Sequence, residues 1–196
     1  MKKEFDELKQ IQQLVIDIIK VERNHFIPKT KRHENVVEHS FSLAILCWKI
    51  FEMVKPPLNI TKILKYALAH DFIERGQSQD VNTYAKENER QTKKERENEE
   101  LTKLSFEFED FADLTTTLKN YETQIDEESL FVWTVDKMQE IVLGQIDDWR
   151  PYADYGVKYK QFCDKCEEFL VKSSPYLKNI FVEVFEESKK TYYDRP

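Results

Sequence analysis

The sequence predicts an all-α fold, built as a single-domain helical bundle, and three observations lead to this prediction. Apolar side chains recur at steps of three and four residues along most of the chain, the spacing of one face of an α-helix. Only three of the 196 residues are glycine, so few tight turns are available to connect β-hairpins. This length suits one domain with a sizeable core and leaves little room for a second. We therefore expect one domain over residues 1–196.

The first two predicted helices follow from this spacing. One covers residues 3–20, and a loop containing Pro28 and a basic cluster follows it. The second begins near Asn35 and ends at Lys55, because two prolines come directly after that residue. Its apolar side chains on one face are Val37, Phe41, Ala44, Ile45 and Trp48.

A third helix and a charged segment are predicted next. Asn59 or Thr61 can cap the third helix, and Gly76 supplies its C-terminal stop. This helix would place His70 and Glu74 on one face, since they are four residues apart. Residues 86–100 are dense in charges of both signs, and we interpret them as a solvated helix.

Apolar spacing resumes in the second half of the chain. Leu101 and Leu104 restore it, and residues 126–128 look like the acidic first turn of another helix. Two more helices are predicted at about 155–172 and 175–190. The sequence contains no internal repeat and no low-complexity linker.

Charge and composition exclude several classes of protein. The formal net charge of −7 argues against nucleic acid as a partner, since such binding needs a basic surface. No apolar run approaches the ~20 residues of a membrane span, so we expect no membrane partner. The charged N-terminus lacks the apolar region of a signal peptide, which predicts a cytoplasmic location. Three cysteines are too few, and odd in number, for a disulfide framework.

Four side chains predict a metal site in the core of the bundle. His70 and Asp71 are adjacent on an apolar, helical segment, about thirty residues after His39. Asp136 lies much later on another apolar helix, where an unpaired carboxylate would be costly. Two imidazoles and two carboxylates from separate helices are suitable ligands for one divalent cation.

The order and spacing of these residues resemble the HD-domain superfamily of metal-dependent phosphohydrolases. The resemblance spans about residues 22–148, and its specific parts are Glu34-Asn35-Val36-Val37-Glu38-His39-Ser40, Ala69-His70-Asp71-Phe72-Ile73-Glu74 and Val135-Asp136-Lys137. The first of these segments, with Glu74 four residues after His70, is most similar to the small bacterial 5′-deoxynucleotidase branch. The resemblance implies an HD-type helical bundle that forms a homodimer.

The resemblance also implies roles for the acidic residues and the cofactor. His39, His70, Asp71 and Asp136 would hold one divalent metal ion, and the possibilities are Mn, Co, Fe, Ni, Mg and Zn. Glu74 matches the position of a general acid or base, and Asp71 takes part in catalysis as a ligand. A second catalytic acid corresponds to Asp80, which is displaced by about one residue from the pattern of the branch.

Basic residues are needed to bind a phosphate group. Arg23 corresponds best to the substrate-contacting arginine of the branch, although Asn24 and His25 replace the aromatic residue that usually follows. Lys137 is a looser substrate-binding candidate, as are Lys29, Lys31 and Arg32.

Three functions remain open from the sequence. The first is hydrolysis of a deoxynucleoside 5′-monophosphate to the deoxynucleoside and phosphate. The second is removal of tripolyphosphate from a deoxynucleoside triphosphate, and the third is nucleotide binding without turnover. In each case the partner is a small-molecule nucleotide.

Two other features have simpler interpretations. His25 and His33 are predicted to be loop or surface residues without a role in the site. Cys163 and Cys166 have the spacing of a redox or zinc motif, but no second pair accompanies them. We interpret them as ordinary positions on a helix.

Overall fold

The computed structural model describes residues 2–76, Tyr84 and residues 87–192, and most of these residues are helical. The described part of the chain contains α-helices, one short 3₁₀ helix and one two-stranded antiparallel sheet, which confirms the all-α prediction. The α-helices are α1 (Lys2–Ile19), α2 (Val36–Val54), α3 (Ile60–Ala69), α4 (Glu87–Glu107), α5 (Ala112–Glu122), α6 (Glu127–Ile146), α7 (Arg150–Asp154), α8 (Tyr159–Lys172) and α9 (Lys178–Thr191).

A small β-hairpin occupies the segment around Pro28 that the sequence predicted to be a loop. Its strands, β1 (Glu22–Phe26) and β2 (His33–Asn35), pair in an irregular antiparallel register. Lys29 adopts a left-handed conformation in the connecting turn, and its backbone N–H donates to Asp147 Oδ1 at 2.7 Å. The hairpin turn is held by a residue 118 positions away, so the sequence around Pro28 alone could not predict the hairpin.

Helix α2 begins at a capping box. The Asn35 side chain accepts from the Glu38 backbone N–H, and the Glu38 carboxylate accepts from the Asn35 backbone N–H. This pairing satisfies two N–H groups that a helix start otherwise leaves without partners. Two residues of the Glu34–Ser40 segment therefore fix where α2 starts and hence where His39 lies.

The buried face of α2 is not the one that its apolar spacing marks. Phe41, Ile45 and Trp48 are 63%, 48% and 54% exposed, so they form an apolar row on the outside. The buried residues on the inward side share only Ala44 with the predicted face. These are Val36, His39, Ser40, Leu43, Ala44, Cys47 and Ile50. Because α2 is apolar on more than one side, spacing alone could not select the face that packs inward.

Helix α3 ends earlier than predicted. Asn59 caps its start by accepting from the Lys62 backbone N–H at 3.3 Å, as the sequence suggested. The α-helical spacing stops at Ala69, and His70–Glu74 form the 3₁₀ helix before Gly76 with φ of +76°. The ligand-bearing His-Asp pair is thus on a tighter helix than expected.

The core lies where α2, α3 and α6 pack against one another. One apolar cluster joins these helices to α8 and α9, and a second joins α1, α4 and α5 to the 3₁₀ helix. Helix α5 and the short α7 have no counterpart in the sequence prediction, whereas α8 and α9 match it within a few residues. Among the described residues, no helix combines the length and apolar character needed to cross a membrane.

Candidate metal centre

Three helical segments bring a cluster of possible ligands together in the core. His39 lies in the first turn of α2, His70 begins the 3₁₀ helix, and Asp136 lies midway along α6. Each offers one ligand atom, these atoms all lie within 4.8 Å of one another, and all three residues are buried. Such close convergence from distant parts of the chain is the geometry required of a metal site.

Asp71 lies at the edge of this cluster. Its Oδ1 is 3.1 Å from His70 Nε2, and its Oδ2 is 3.9 Å from His39 Nε2. Its side chain is 15% exposed, more than those of the other three residues. Asp71 therefore contacts both histidines from the side nearest to solvent, whereas the three residues whose ligand atoms all lie close together are His39, His70 and Asp136.

The donor atoms fit a divalent cation. His39 Nε2 and Asp136 Oδ1 are buried, 3.1 Å apart and without a hydrogen-bond partner. Leaving a buried polar atom without a partner costs about 1–3 kcal/mol, and a cation between the two atoms would remove that cost. His70 Nδ1 lies 3.0 Å from the Ala67 carbonyl oxygen, so donation there leaves the Nε2 lone pair for a metal.

The protonation states of His39 and of the two carboxylates suit metal binding. At His70 burial lowers the pKa, but Asp71 and Asp136 raise it above the ordinary value, so a metal would bind Nε2 in place of a proton. Burial lowers the pKa of His39 to about 4, so the imidazole is neutral at pH 7, as a ligand must be. Burial opposes ionisation of Asp71, but His70, Arg23 and His39 together outweigh it and keep its pKa well below the usual range. Asp136 shows the same balance, with Lys137 as the main cause that lowers its pKa. Both carboxylates are therefore charged.

Lys137 contacts the candidate metal ligand Asp136. Its Nζ lies 2.7 Å from Asp136 Oδ2 and 3.2 Å from Glu140 Oε1. The lysine thus occupies one oxygen of Asp136 while the other oxygen faces His39. This arrangement orients Asp136, and it differs from the substrate contact that we expected for Lys137.

A buried ion pair between the two strands of the hairpin supports the cluster. Arg23 on β1 donates from Nη1 to Asp71 Oδ2 at 2.7 Å, and its Nε is 3.3 Å from Glu34 Oε1. The same Glu34 oxygen lies 3.7 Å from His39 Nδ1. Burial raises the pKa of Glu34 to about 7, against the opposing effect of Arg23.

Sequence reasoning did not assign Glu34 to the site. It appeared only as part of the resembling segment, because no spacing rule connects it with a ligand five residues later. An acidic residue that is buried beside a ligand histidine is a recognisable signal once the hairpin is known.

Glu74 shares a face with Asp71 rather than with His70. A 3₁₀ helix has three residues per turn, so residues three apart are aligned, and the predicted pairing of His70 with Glu74 was wrong. Glu74 is only 2% exposed. Lys93 from α4 approaches it, with Nζ at 2.7 Å from Glu74 Oε1.

Glu122 is a further acidic residue whose pKa depends on the charged helix α4 and on the His-Asp pair. Burial of its carboxyl group is the main cause that raises the pKa of Glu122, at the end of α5, to about 7. The charges of Glu97 and Asp71 raise it further, whereas His70 and Lys93 lower it. Glu122 therefore feels charges from α4 and from the His-Asp pair alike, which the solvated interpretation of residues 86–100 did not anticipate.

The remaining predicted residues lie elsewhere. Asp80 falls outside the described residues. Arg32 is exposed and forms a bidentate ion pair with Glu38, with N–O distances of 2.9 and 2.7 Å. Lys29 and Lys31 are also exposed on the hairpin turn.

The two other histidines and the cysteine pair are not ligands of this cluster. His33 Nδ1 lies 2.8 Å from the Arg23 carbonyl oxygen, so it has a role in joining the strands. His25 lines a small pocket with Tyr152 and Tyr155. Cys163 and Cys166 are free cysteines on α8.

Comparison with known proteins identifies the family. A family model described as "HD domain" matches residues 18–178, so this chain belongs to the HD-domain family. No curated protein matches the chain.

Three solved structures share the fold. One is described as a predicted metal-dependent phosphohydrolase from Magnetospirillum magnetotacticum MS-1; it is 19% identical with a TM-score of 0.77, and the match covers 96% of this chain and 98% of that one. The PH0347 protein from Pyrococcus horikoshii OT3 is 22% identical with a TM-score of 0.64, over 91% and 98%. A conserved hypothetical protein from Pyrococcus furiosus is 20% identical with a TM-score of 0.61, over 91% and 99%. At these identities the likeness shows the fold alone.

Proposed function

We propose that this chain is a metal-dependent phosphohydrolase that acts on nucleotides, with deoxynucleoside 5′-monophosphates as its expected substrates. The observation that carries the proposal is the buried cluster of His39, His70 and Asp136, with Asp71 beside it. Membership of the HD-domain family supports it, and so does the description of the Magnetospirillum protein as a predicted phosphohydrolase. The choice of nucleotide rests on the resemblance of the Glu34–Ser40 segment to the 5′-deoxynucleotidase branch.

A divalent cation held by these residues, with Asp71 as the expected fourth ligand, would supply a Lewis acid that activates water and offsets the charge developing on a phosphate. The two carboxylates balance its charge, which makes the buried position tolerable. Lys137 keeps one oxygen of Asp136 occupied and the other directed at His39. The chain thereby fixes the ligand geometry before any substrate binds.

Arg23 is the residue that we expect to contact the phosphate. Its guanidinium group lies against Asp71 on the side of the cluster nearest to solvent. Guanidinium groups form paired hydrogen bonds with phosphate oxygens, and this contact would orient the phosphorus atom for attack.

Glu74 would carry the protons of the reaction. The oxygen of a water molecule forms a bond with phosphorus, and the bond between phosphorus and the 5′ oxygen breaks. One proton leaves the water and one proton reaches the 5′ oxygen of the released nucleoside. We expect the carboxyl group of Glu74, three residues after Asp71 on the 3₁₀ helix, to make this transfer.

A panel of nucleotides tests this proposal directly. Deoxynucleoside and ribonucleoside mono- and triphosphates would be incubated with the purified protein and each of Mn²⁺, Co²⁺, Fe²⁺, Ni²⁺, Mg²⁺ and Zn²⁺. Release of orthophosphate from deoxynucleoside monophosphates is the expected result. Release of tripolyphosphate from the triphosphates would instead support the alternative that the sequence left open.

Two variants make the test specific to the metal centre. Asp71→Ala should lower turnover by at least ~10³-fold with nucleotide binding retained, because a ligand of the activating cation is lost. Asp113→Ala is the matched control, since that carboxylate is 60% exposed and pairs with the exposed Lys65. Binding of nucleotides without any turnover, in every metal, would overturn the proposal in favour of a nucleotide-binding protein.

A further inference from the structure

Lys93 of α4 contacts the 3₁₀ helix that contains His70 and Asp71. Residues 86–100 were predicted to be a solvated helix, and most described side chains there are exposed. Lys93 departs from this pattern, because it is 21% exposed and its Nζ lies 2.7 Å from Glu74 Oε1. The partner carboxylate is 3% exposed, so this ion pair lies largely out of water.

The ion pair is part of a broader attachment of α4 to the 3₁₀ helix. Arg75, next to Glu74, is bound by two acidic residues of α4, with Nε 2.5 Å from Glu100 Oε1 and Nη2 2.6 Å from Glu107 Oε2. A second carboxylate, Glu97, lies 3.5 Å from Lys93 Nζ and is also mostly buried. Lys93 therefore sits between two carboxylates of different helices, and the nearer one belongs to the His-Asp segment.

We propose that Lys93 is a positioning residue that fixes the Glu74 carboxylate for its part in hydrolysis. This inference rests on the proposed function, because it assigns Lys93 a role in the same reaction. A long carboxylate side chain has several rotamers, and an ion pair at 2.7 Å selects one of them. The ammonium group also compensates for moving the Glu74 charge out of water.

The position of Lys93 indicates that it acts through Glu74. Its Nζ is directed at Glu74 and Glu97, both of which are carboxylates of the chain itself. The predicted phosphate contact, Arg23, instead approaches the cluster from the hairpin and lies on Asp71. Loss of Lys93 should therefore change the rate of the chemical step more than it changes substrate binding.

Kinetics of Lys93 variants test the role. Lys93→Met should lower kcat about 10- to 100-fold with KM changed less than about 3-fold, because an aligned acid or base contributes about 10²–10⁴-fold. Lys93→Arg keeps the charge and should recover most of the rate. Lys94→Met is the matched control, since Lys94 is the adjacent residue of α4 and is exposed.

The same substitution made in a Glu74→Gln protein shows whether Lys93 acts through Glu74. In a Glu74→Gln protein, adding Lys93→Met should lower kcat less than about 2-fold further, since residues that act as a unit are not additive. Equal effects of Lys93→Met in both backgrounds, or a rise in KM with kcat unchanged, would overturn the proposal. The second of these results would identify Lys93 as a substrate contact.

A measurement of thermal unfolding separates this proposal from the proposed function. Lys93→Met should lower Tm by about 5–10 °C, since it leaves a buried carboxylate without its cation. The effect should be much smaller in the Glu74→Gln background. If the wild-type protein hydrolyses no nucleotide, the proposed function fails, whereas the Tm values still test the pairing. Equal Tm losses in both backgrounds would contradict the pairing, and Lys93→Gln, which also removes the charge, gives the same comparison if the Met variant does not fold.

Discussion

Single side chains at the metal centre are prepared for binding by their surroundings. Burial lowers the pKa of His39 to about 4, which keeps its imidazole neutral. The Ala67 carbonyl fixes the ring of His70, and Lys137 occupies one oxygen of Asp136. Each ligand is thus held by a second group of the chain, and these supporting groups are the residues that spacing could not identify.

Glu34 provides the first test at this scale. Its carboxylate lies 3.7 Å from His39 Nδ1 and is buried with Arg23. Groups that orient a metal-binding histidine are worth about 10–100-fold in metal affinity, so Glu34→Gln should weaken Mn²⁺ binding by that factor. Isothermal titration calorimetry measures this affinity. Glu52→Gln is the control, since Glu52 lies on α2 and is exposed. Unchanged affinity in Glu34→Gln would show that His39 needs no such support.

At the scale of elements, local signals and long-range contacts have different roles. Caps at Asn35, Asn59 and Asp126 set the starts of α2, α3 and α6, and all three can be recognised in the sequence. The 3₁₀ helix after Ala69 is different, because α4 and α5 pack directly on it. Its geometry, which aligns Glu74 with Asp71, therefore depends on partners that lie later in the chain.

Substitution of Asp126 tests whether its side chain stabilises the start of α6. It caps α6 by accepting from the Ser129 backbone N–H at 2.8 Å, and it pairs with Lys62 at 2.8 Å. Asp126→Ala should lower the free energy of unfolding at pH 7 by about 1–3 kcal/mol, as measured by urea denaturation. Asp113→Ala breaks an exposed ion pair, so it should lower the free energy of unfolding by less than about 1 kcal/mol. Equal losses would contradict a special role for the cap.

The contribution of Asp126 also depends on pH. Burial opposes its ionisation, but hydrogen bonds from Lys62, Ser129 and Tyr66 lower its pKa below the ordinary value of 3.8. A carboxyl group with a lower pKa in the folded state stabilises the protein above the unfolded pKa and loses this effect as the pH falls through the folded one. The stability difference between wild type and Asp126→Asn should therefore shrink below about pH 4. A difference that grows on acidification would contradict this sign.

For the whole molecule, the metal centre joins three parts of the fold. Its ligands come from α2, the 3₁₀ helix and α6, so a bound cation crosslinks segments that are up to 97 residues apart. The homodimer that the resemblance implies stays a prediction, and the exposed row of Phe41, Ile45 and Trp48 on α2 offers an apolar surface for it.

Metal removal tests this crosslink. A cation at about 100 times its Kd stabilises the folded state by about 2.7 kcal/mol, which should raise Tm by about 5–10 °C for a chain of this length. Scanning calorimetry with Mn²⁺ and then with excess chelator measures the rise and its reversal. His39→Ala should show neither change. An equal rise in that variant would place the binding site elsewhere.

The sequence by itself determined the helical class, the starts of several helices and the residue types of the centre. Apolar spacing, caps and the His70-Asp71 pair are local features, so they can be read within a short window. Only the tertiary structure decided that Lys93 meets Glu74, that Glu34 lies beside His39 and that Lys137 faces Asp136. It also decided the hairpin and which side of α2 packs inward. These outcomes depend on contacts between segments far apart in the chain, where packing and burial outweigh local preference.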